Sequence, residues 1–302
     1  MVNLELFSRL RCEVTRRGRI IGRETWFAGV VYTFCMENNG PDNRKKAPAS
    51  FFALGYESLP ERATVGRRNY SIVRVFKHDF FAATGLYREE IPAGAADQAA
   101  EPPLAVLKLQ RTYPLYGLPM KWLGRMVARH EMAVFQKLQG IRGIPEFLGG
   151  YGATGYMHAF VPGMDLCPAC QPDGEFFQHL HELLVAIHRR GVAYVDTNKR
   201  ENILYGDDQR PWLIDFQISF HCSGGWNNIV MRGILRRLQR EDWYHFYKHK
   251  TRLAPQVCTP EDFAAAQNRS WYIRLHRRVA QPIIHWRRRF LARYQDAARK
   301  PH

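Results

Sequence analysis

Apolar and polar positions alternate along this chain with two different periods. Tyr70-Ser-Ile-Val-Arg-Val-Phe76 and Phe80-Phe-Ala-Ala-Thr-Gly-Leu-Tyr87 carry partial two-residue alternation and predict a pair of strands joined at Lys77-His78-Asp79. Leu104-Ala-Val-Leu-Lys108-Leu109 is a short apolar run with one interior charge, which predicts a third strand. From Trp122 to Leu138 the apolar residues recur at helical spacing, through Met126, Val127, Val134 and Leu138, and Gly140 to Pro145 ends the helix. Phe147-Leu148 and Tyr156 to Val161 follow as strands, and Pro162-Gly163 reads as a break. A helix is predicted over Glu175 to Arg190. Ile203-Leu204-Tyr205 and Trp212-Leu-Ile-Asp215-Phe216, joined by the turn Gly206-Asp-Asp-Gln-Arg-Pro211, read as a β-hairpin. Helices are predicted again over Trp226 to Lys250 and Pro260 to Tyr294.

The first 60 residues are less regular. Leu4 to Leu10 suggests a short helix, Trp26 to Cys35 a strand, and Asn38 to Pro48 a polar loop. We expect an N-terminal extension over 1–60, a small β-rich lobe over 61–161, and a larger, mainly helical lobe over 162–302. The fold class expected is α+β with two lobes, and no internal repeat is visible.

Composition narrows the function classes. The chain has 302 residues, 46% hydrophobic and 13% aromatic, which suits a globular protein with a sizeable core. Its net charge of +16 favours an anionic partner. The charge is uneven: residues 231–302 hold 17 Lys/Arg against 5 Asp/Glu. No signal peptide is recognisable, and no apolar run reaches the ~20 residues a spanning helix needs. Of the six cysteines only Cys167-Pro-Ala-Cys170 is close-spaced. One such pair lacks the four ligands of a tetrahedral zinc site, so a reduced, cytosolic chain is the simpler expectation.

Five polar residues stand out for where they fall. Lys108 interrupts an apolar strand, where a charge is costly unless it is paired or meets an anionic ligand; an edge strand with Lys108 in solvent is the other reading. Glu131 lies mid-helix. Asp196 and Asn202 precede the hairpin and Asp215 follows it. Two carboxylates and an amide gathered by one hairpin can hold a hard cation and orient a hydroxyl.

In this order and spacing the residues resemble the protein-kinase-like superfamily over about residues 60 to 250. The branch they are most similar to is the divergent bacterial one, with the lipopolysaccharide-core (Kdo/heptose) kinases and the RIO-type kinases. Ala105-Val-Leu-Lys108 resembles the strand of the ATP-binding lysine, and Glu131 in Arg-His-Glu-Met-Ala-Val-Phe resembles its helix partner. His188 to Asp196 with Glu201-Asn-Ile-Leu204 resembles the catalytic loop, and Leu213-Ile-Asp215-Phe216 the metal-binding Asp-Phe-Gly segment. The resemblance implies a protein-kinase-like fold with a small antiparallel N-lobe carrying one helix. It implies ATP and Mg²⁺ as cofactors. Lys108 and Glu131 would serve the phosphates, Asn202 and Asp215 the metal and nucleotide, and Asp196, with Lys108, the chemistry of transfer.

The pattern also departs from that family. Asp196 to Asn202 is a step of six where five is usual, which leaves the register of the loop and the roles of Asn198 and Lys199 open. Tyr194-Val195 replaces the His-Arg before the catalytic Asp, and Gln217 replaces the glycine after Phe216. No GxGxxG loop precedes Lys108, and no Ala-Pro-Glu segment follows Asp215.

The expected activity is therefore transfer of the γ-phosphoryl group of ATP to a hydroxyl. A saccharide or glycolipid acceptor is slightly favoured. A RIO-like Ser/Thr protein kinase is the alternative, and so is a nucleotide-binding pseudokinase scaffold at the membrane surface. Residues 271–294 mix Trp, Phe, Ile and Leu with Arg clusters around Pro282. They suit either a helix packed on the large lobe or an interfacial helix on an anionic membrane. A nucleic-acid partner is disfavoured, because no recognised nucleic-acid motif accompanies them. The location expected is cytoplasmic, with peripheral attachment to the inner face of the membrane left open.

Overall fold

Strand alternation decides where the core of the first lobe lies in a computed structural model of the protein, which describes residues 48–91, 102–115, 117–222 and 228–267. Strands β1 (Arg62–Val65), β2 (Arg68–His78), β3 (Ala82–Glu89), β4 (Leu104–Gln110), β5 (Phe147–Tyr151) and β6 (Gly155–Ala159) form one sheet in the order β1-β2-β3-β4-β6-β5. Every neighbouring pair is antiparallel. Ala83, Tyr87, Ala105, Leu107 and Met157 fill one face and join Val65 and Tyr70 in a single apolar cluster. Leu54 and Leu59, upstream of β1, belong to the same cluster. The cross-strand pairs Thr84↔Lys108, Leu86↔Val106, Val106↔His158 and Lys108↔Tyr156 place those side chains on the opposite face.

That second face meets helix α1 (Lys121–Leu138), which packs against β4, β5 and β6. The helix buries Gly124, Ala128, Glu131, Val134, Phe135 and Leu138, a stripe at steps of three and four. Gly124 has a steric reason to lack a side chain, since a Cβ there would sit 2.2 Å from the carbonyl oxygen of Arg111. Glu131 is the one acid in the stripe, so the helix carries a carboxylate into the interior.

The second lobe begins with β7 (Gly163–Asp165) and contains α2 (Gly174–Arg189), β8 (Val192–Ala193), β9 (Ile203–Gly206), β10 (Pro211–Leu213), β11 (Phe220–His221), α3 (Asn228–Leu253) and α4 (Pro260–Gln267). The Asp173 carboxylate accepts the Phe176 amide and caps α2. Phe176, Phe177, Leu180, Leu183, Leu184 and Ile187 are the buried stripe of α2. They pack with Phe246 of α3 and with Phe135, Leu138 and Tyr156 of the first lobe, so one apolar cluster spans both lobes. Truncating one such leucine, Leu184→Ala, removes about 2–5 kcal/mol of stability.

The architecture is α+β and two-lobed as expected, with an antiparallel β-rich first lobe carrying one helix. Two local expectations are corrected and one gains a second half. Pro162-Gly163 does break the run after β6, as expected, but it does not only end a strand. Gly163 opens β7, which pairs with β9 in the sheet β10-β9-β7. It does so at φ 151°, where a Cβ would lie 2.4 Å from the Tyr205 carbonyl oxygen. Lys77 and His78 continue β2, and the connection to β3 is Asp79-Phe80-Phe81. Arg62–Val65 is a strand that alternation over so short a stretch did not reveal. The expected helix and strand in residues 1–35, the loop over 38–48 except Pro48, and the tail 271–294 lie outside the described residues.

Candidate active site

Lys108 lies on the inner face of β4 and is 7% exposed. Its Nζ is 2.7 Å from Glu131 Oε1 and 2.8 Å from Asp215 Oδ1. The edge-strand alternative with Lys108 in solvent is thereby excluded. Three residues separated by 23 and 107 positions in sequence meet at one ammonium group. Burial works against the charge on Lys108, but the carboxylates of Asp215 and Glu131 outweigh it and hold the ammonium well above its usual value. Burial also opposes the Asp215 carboxylate, yet Lys108 lowers it to about 2. At Glu131 burial dominates: the acid is pushed up to about 7, with Lys108 offsetting only part of the cost. Gln110 and the hydroxyl of Tyr156 also donate to Glu131. These two donors stand on the same sheet face as Lys108, so the strand period delivers all three to one carboxylate.

The six-residue step from Asp196 to Asn202 folds as two 3₁₀ turns, Asp196–Asn198 and Arg200–Asn202, with Lys199 extended between them. The extra residue is absorbed without separating the ends. Asp196 Oδ2 accepts Asn202 Nδ2 at 2.7 Å and Lys199 Nζ at 2.6 Å. Burial raises the Asp196 carboxyl, and the Lys199 ammonium opposes the rise. Asn198 takes no part in this pairing; its side-chain oxygen accepts from Lys248.

Tyr194, standing where the resemblance calls for histidine, ties this loop to Asp215. Its hydroxyl donates to the carbonyls of Asn202 and Ile214. The Ile214 amide in turn donates to the Asn202 carbonyl at 3.1 Å. Asp215 itself has φ 62°, a conformation that costs a non-glycine residue on the order of 1–3 kcal/mol. Lys108, through its ion pair, and Gln217, through its amide, hold the carboxylate in place.

Two residues of this frame were not singled out from the sequence. Asp242 of α3 is fully buried beneath the loop. It accepts from the amides of Tyr194 and Val195, each at 2.8 Å, and from Thr197 Oγ1 at 2.6 Å, and it pairs with His188 at 3.0 Å. The signal was present: Leu235, Asp242, Phe246 and His249 recur at helical spacing, so the acid shares a face with apolar residues. The second is Asp165 at the end of β7, pushed up to about 6 by burial and by the nearby Glu201.

Leu86, Val106 and Leu204 are buried but belong to neither apolar cluster. Leu86 and Val106 share the Lys108 face of the sheet, and Leu204 follows Asn202 by two residues. The β2–β3 turn differs from a glycine-rich cradle. Asp79 Oδ1 already accepts the Phe81 and Ala82 amides, and Arg111 donates to the Phe80 carbonyl at 2.8 Å. Arg111 also lies 4.2 Å from the Phe80 ring and donates to Ser50, which pins the turn to the preceding chain.

Among the described residues no cluster of three His, Cys, Asp or Glu forms a metal site, and no helix is long and apolar enough to cross a membrane. No family model matches the chain, and no curated protein does. Among solved structures it is similar to the Rio2 kinase of Chaetomium thermophilum in an ADP/Mg²⁺-phosphoaspartate complex. The identity is 15% and the TM-score 0.43, over 68% of this chain and 61% of that one. Another crystal structure of Rio2 kinase from that organism aligns at 14% identity and TM-score 0.42, over 64% and 62% of the two chains. The chain thus covers less than two thirds of the length of either.

Proposed function

We propose that the protein is an ATP- and Mg²⁺-dependent phosphotransferase acting on a hydroxyl. The observation that carries this is the meeting of Glu131 and Asp215 on the Lys108 ammonium, beside the Asp196–Asn202 pair. The donor set suits these cofactors. Asp215 and Asn202 offer oxygen ligands, and because the Asn202 amide nitrogen donates to Asp196, its oxygen is the atom left for a cation. Two such protein ligands, with water and phosphate, suit Mg²⁺. The Asp215 side chain is 32% exposed, so it faces open space rather than a sealed core.

When bound, ATP supplies the phosphoryl group and Mg²⁺ neutralises its charge. Lys108 places a fixed cation for the phosphates, and Glu131 positions Lys108. In this reading Leu86, Val106 and Leu204 are the buried apolar groups offered to the base, and Asp165 and Glu201 the neighbouring carboxyls offered to the sugar. Asp196 orients the acceptor hydroxyl and takes its proton, and the Lys199 ammonium offsets part of the rise that burial gives that carboxyl.

The favoured acceptor is a saccharide or glycolipid hydroxyl. No Ala-Pro-Glu segment follows Asp215, which argues against a conventional peptide-binding platform. The pinned β2–β3 turn favours a second reading, a nucleotide-binding scaffold without transfer, because two amides that could bind phosphate are occupied by Asp79.

Phosphate transfer from labelled ATP to lipid-linked saccharides and to proteins, by wild type and by Asp196→Ala and Asp215→Ala, tests this. Transfer lost in both variants is expected. Equal transfer by all three proteins would overturn the enzyme reading, and transfer to protein alone would overturn the acceptor assignment.

A further inference from the structure

Cys167 and Cys170 lie outside the machinery described so far. Cys167 caps and Cys170 closes the 3₁₀ turn Pro168–Cys170, which two residues separate from the end of β7, and Pro168 fixes the first φ of that turn. Their sulfurs are 3.3 Å apart. The Cys167 amide donates to Cys170 Sγ at 3.3 Å, and the Cys170 thiol donates to the Asp165 carbonyl at 3.3 Å. Both cysteines are free and half-buried, within reach of a small thiol reagent. The backbone thus holds two thiols in contact, and a disulfide of about 2.05 Å lies within side-chain rotation of that arrangement.

We propose that Cys167 and Cys170 form a reversible redox-active dithiol, and that its oxidation is felt at the Asp165 side of the nucleotide cleft. The Cys167 thiolate attacks one sulfur of an external small-molecule disulfide such as oxidised glutathione. One glutathione leaves as its thiolate and takes a proton. The Cys170 sulfur, its proton given to solvent, then attacks Cys167 in the mixed disulfide and expels the second glutathione. Two protein thiols are oxidised to one disulfide while one glutathione disulfide is reduced to two thiols. The order follows from the environment of Cys170, whose thiol is pushed up to about 11, chiefly by burial, and is engaged with Asp165.

The link to the cleft is short. Oxidation removes the S–H donor to the Asp165 carbonyl. Asp165 pairs with Leu204 in the β7–β9 ladder, and the Leu166 amide donates to the Ile203 carbonyl at 2.8 Å, one residue from Asn202. This second half of the proposal rests on the nucleotide reading given above.

The test uses the full chain equilibrated in glutathione buffers of varied ratio, acid-quenched, alkylated and peptide-mapped. One disulfide joining Cys167 to Cys170 is expected, absent in Cys167→Ser and Cys170→Ser. Half-oxidation is expected at a more reducing ratio for the folded chain than for the chain in urea. Glutathione adducts alone, or identical midpoints folded and unfolded, overturn the dithiol. Affinity for a non-hydrolysable ATP analogue is then measured on both redox forms. A loss of about five-fold on oxidation, the low end of coupling between sites, is expected. Equal affinity overturns the coupling and leaves the dithiol. No binding by either form overturns the coupling together with the nucleotide reading, while the mapped disulfide is read independently of both.

Discussion

The carboxylate of Asp242 accepts the amide of Val195 at 2.8 Å, and Val195 is held at φ 70°. For a β-branched residue that backbone conformation is an outlier and needs an external constraint. Asp242 supplies it, together with acceptors for Tyr194 and Thr197. The consequence is placement: with Val195 turned this way, the chain enters the loop so that Asp196 faces Asn202.

Asp242→Ala leaves one buried and one half-buried amide, one hydroxyl and His188 without their partner. A loss of about 3–5 kcal/mol is expected. Asp242→Asn retains one acceptor oxygen and should lose less, about 1–3 kcal/mol. Urea midpoints at constant m-value check both, and an Ala variant as stable as wild type would show that the strain at Val195 is held elsewhere.

Much of this site was legible because charges in apolar surroundings are conspicuous. Lys108 broke an apolar run, and Asp215 closed a hairpin whose two strands were clear from composition. Asp242 was hidden for the opposite reason. It sits beside Glu241 in a helix crowded with arginine, where an acid reads as one more surface charge. Pro162-Gly163 reads as a break because Pro-Gly commonly stops a strand, and the run through β6 does end before it. Only the close approach of β9 shows that this glycine begins one. The β2–β3 turn carried no motif at all, since its order comes from Arg111 and Asp79 rather than from glycine.

Glu131 gives the site a pH signature. Its carboxyl is pushed up to about 7 in the fold against an ordinary 4.5. Protonation is thus favoured by folding, so its contribution to stability is full below about 4.5 and fades as pH rises through about 7. Function runs the other way: only the ionised form holds Lys108. Nucleotide affinity should fall below about pH 7, and Glu131→Gln should remove that acid limb while binding more weakly above it. A limb that persists unchanged in Glu131→Gln would assign it to another group.

Two helical glycines should respond to alanine with opposite signs. In a helix Ala is better than Gly by about 1 kcal/mol. Gly233 of α3 has nothing within 4 Å of a new Cβ, so Gly233→Ala should stabilise by roughly that amount. At Gly124 the Cβ would sit 2.2 Å from the backbone of Arg111. Gly124→Ala must push α1 from β4, at a net cost of about 1–3 kcal/mol. Because α1 carries Glu131, nucleotide affinity should fall with it. Denaturation and analogue binding on both variants check the pair, and stabilisation by both substitutions would contradict the close approach.

Acid should destabilise the fold through two buried imidazoles. His158, on the Lys108 face of β6, and His249, which bonds the Thr197 carbonyl at 2.8 Å, are each lowered to about 4, chiefly by burial, against an ordinary 6.5. A histidine depressed in the fold contributes stability that is present above about 6.5 and lost as pH falls toward about 4. A shift of that size corresponds to about 3 kcal/mol for each group. Glu131 opposes this trend across the upper part of the same window, so the wild-type curve mixes both signs. Substitution separates them. His249→Gln keeps a donor toward Thr197 but does not titrate, so its stability should fall less than wild type between pH 6.5 and 4. Glu131→Gln should fall more, having lost the group that favours the protonated fold. Urea midpoints at half-unit steps of pH resolve the two slopes. Parallel curves for wild type and His249→Gln would mean that His249 is not held neutral by the fold.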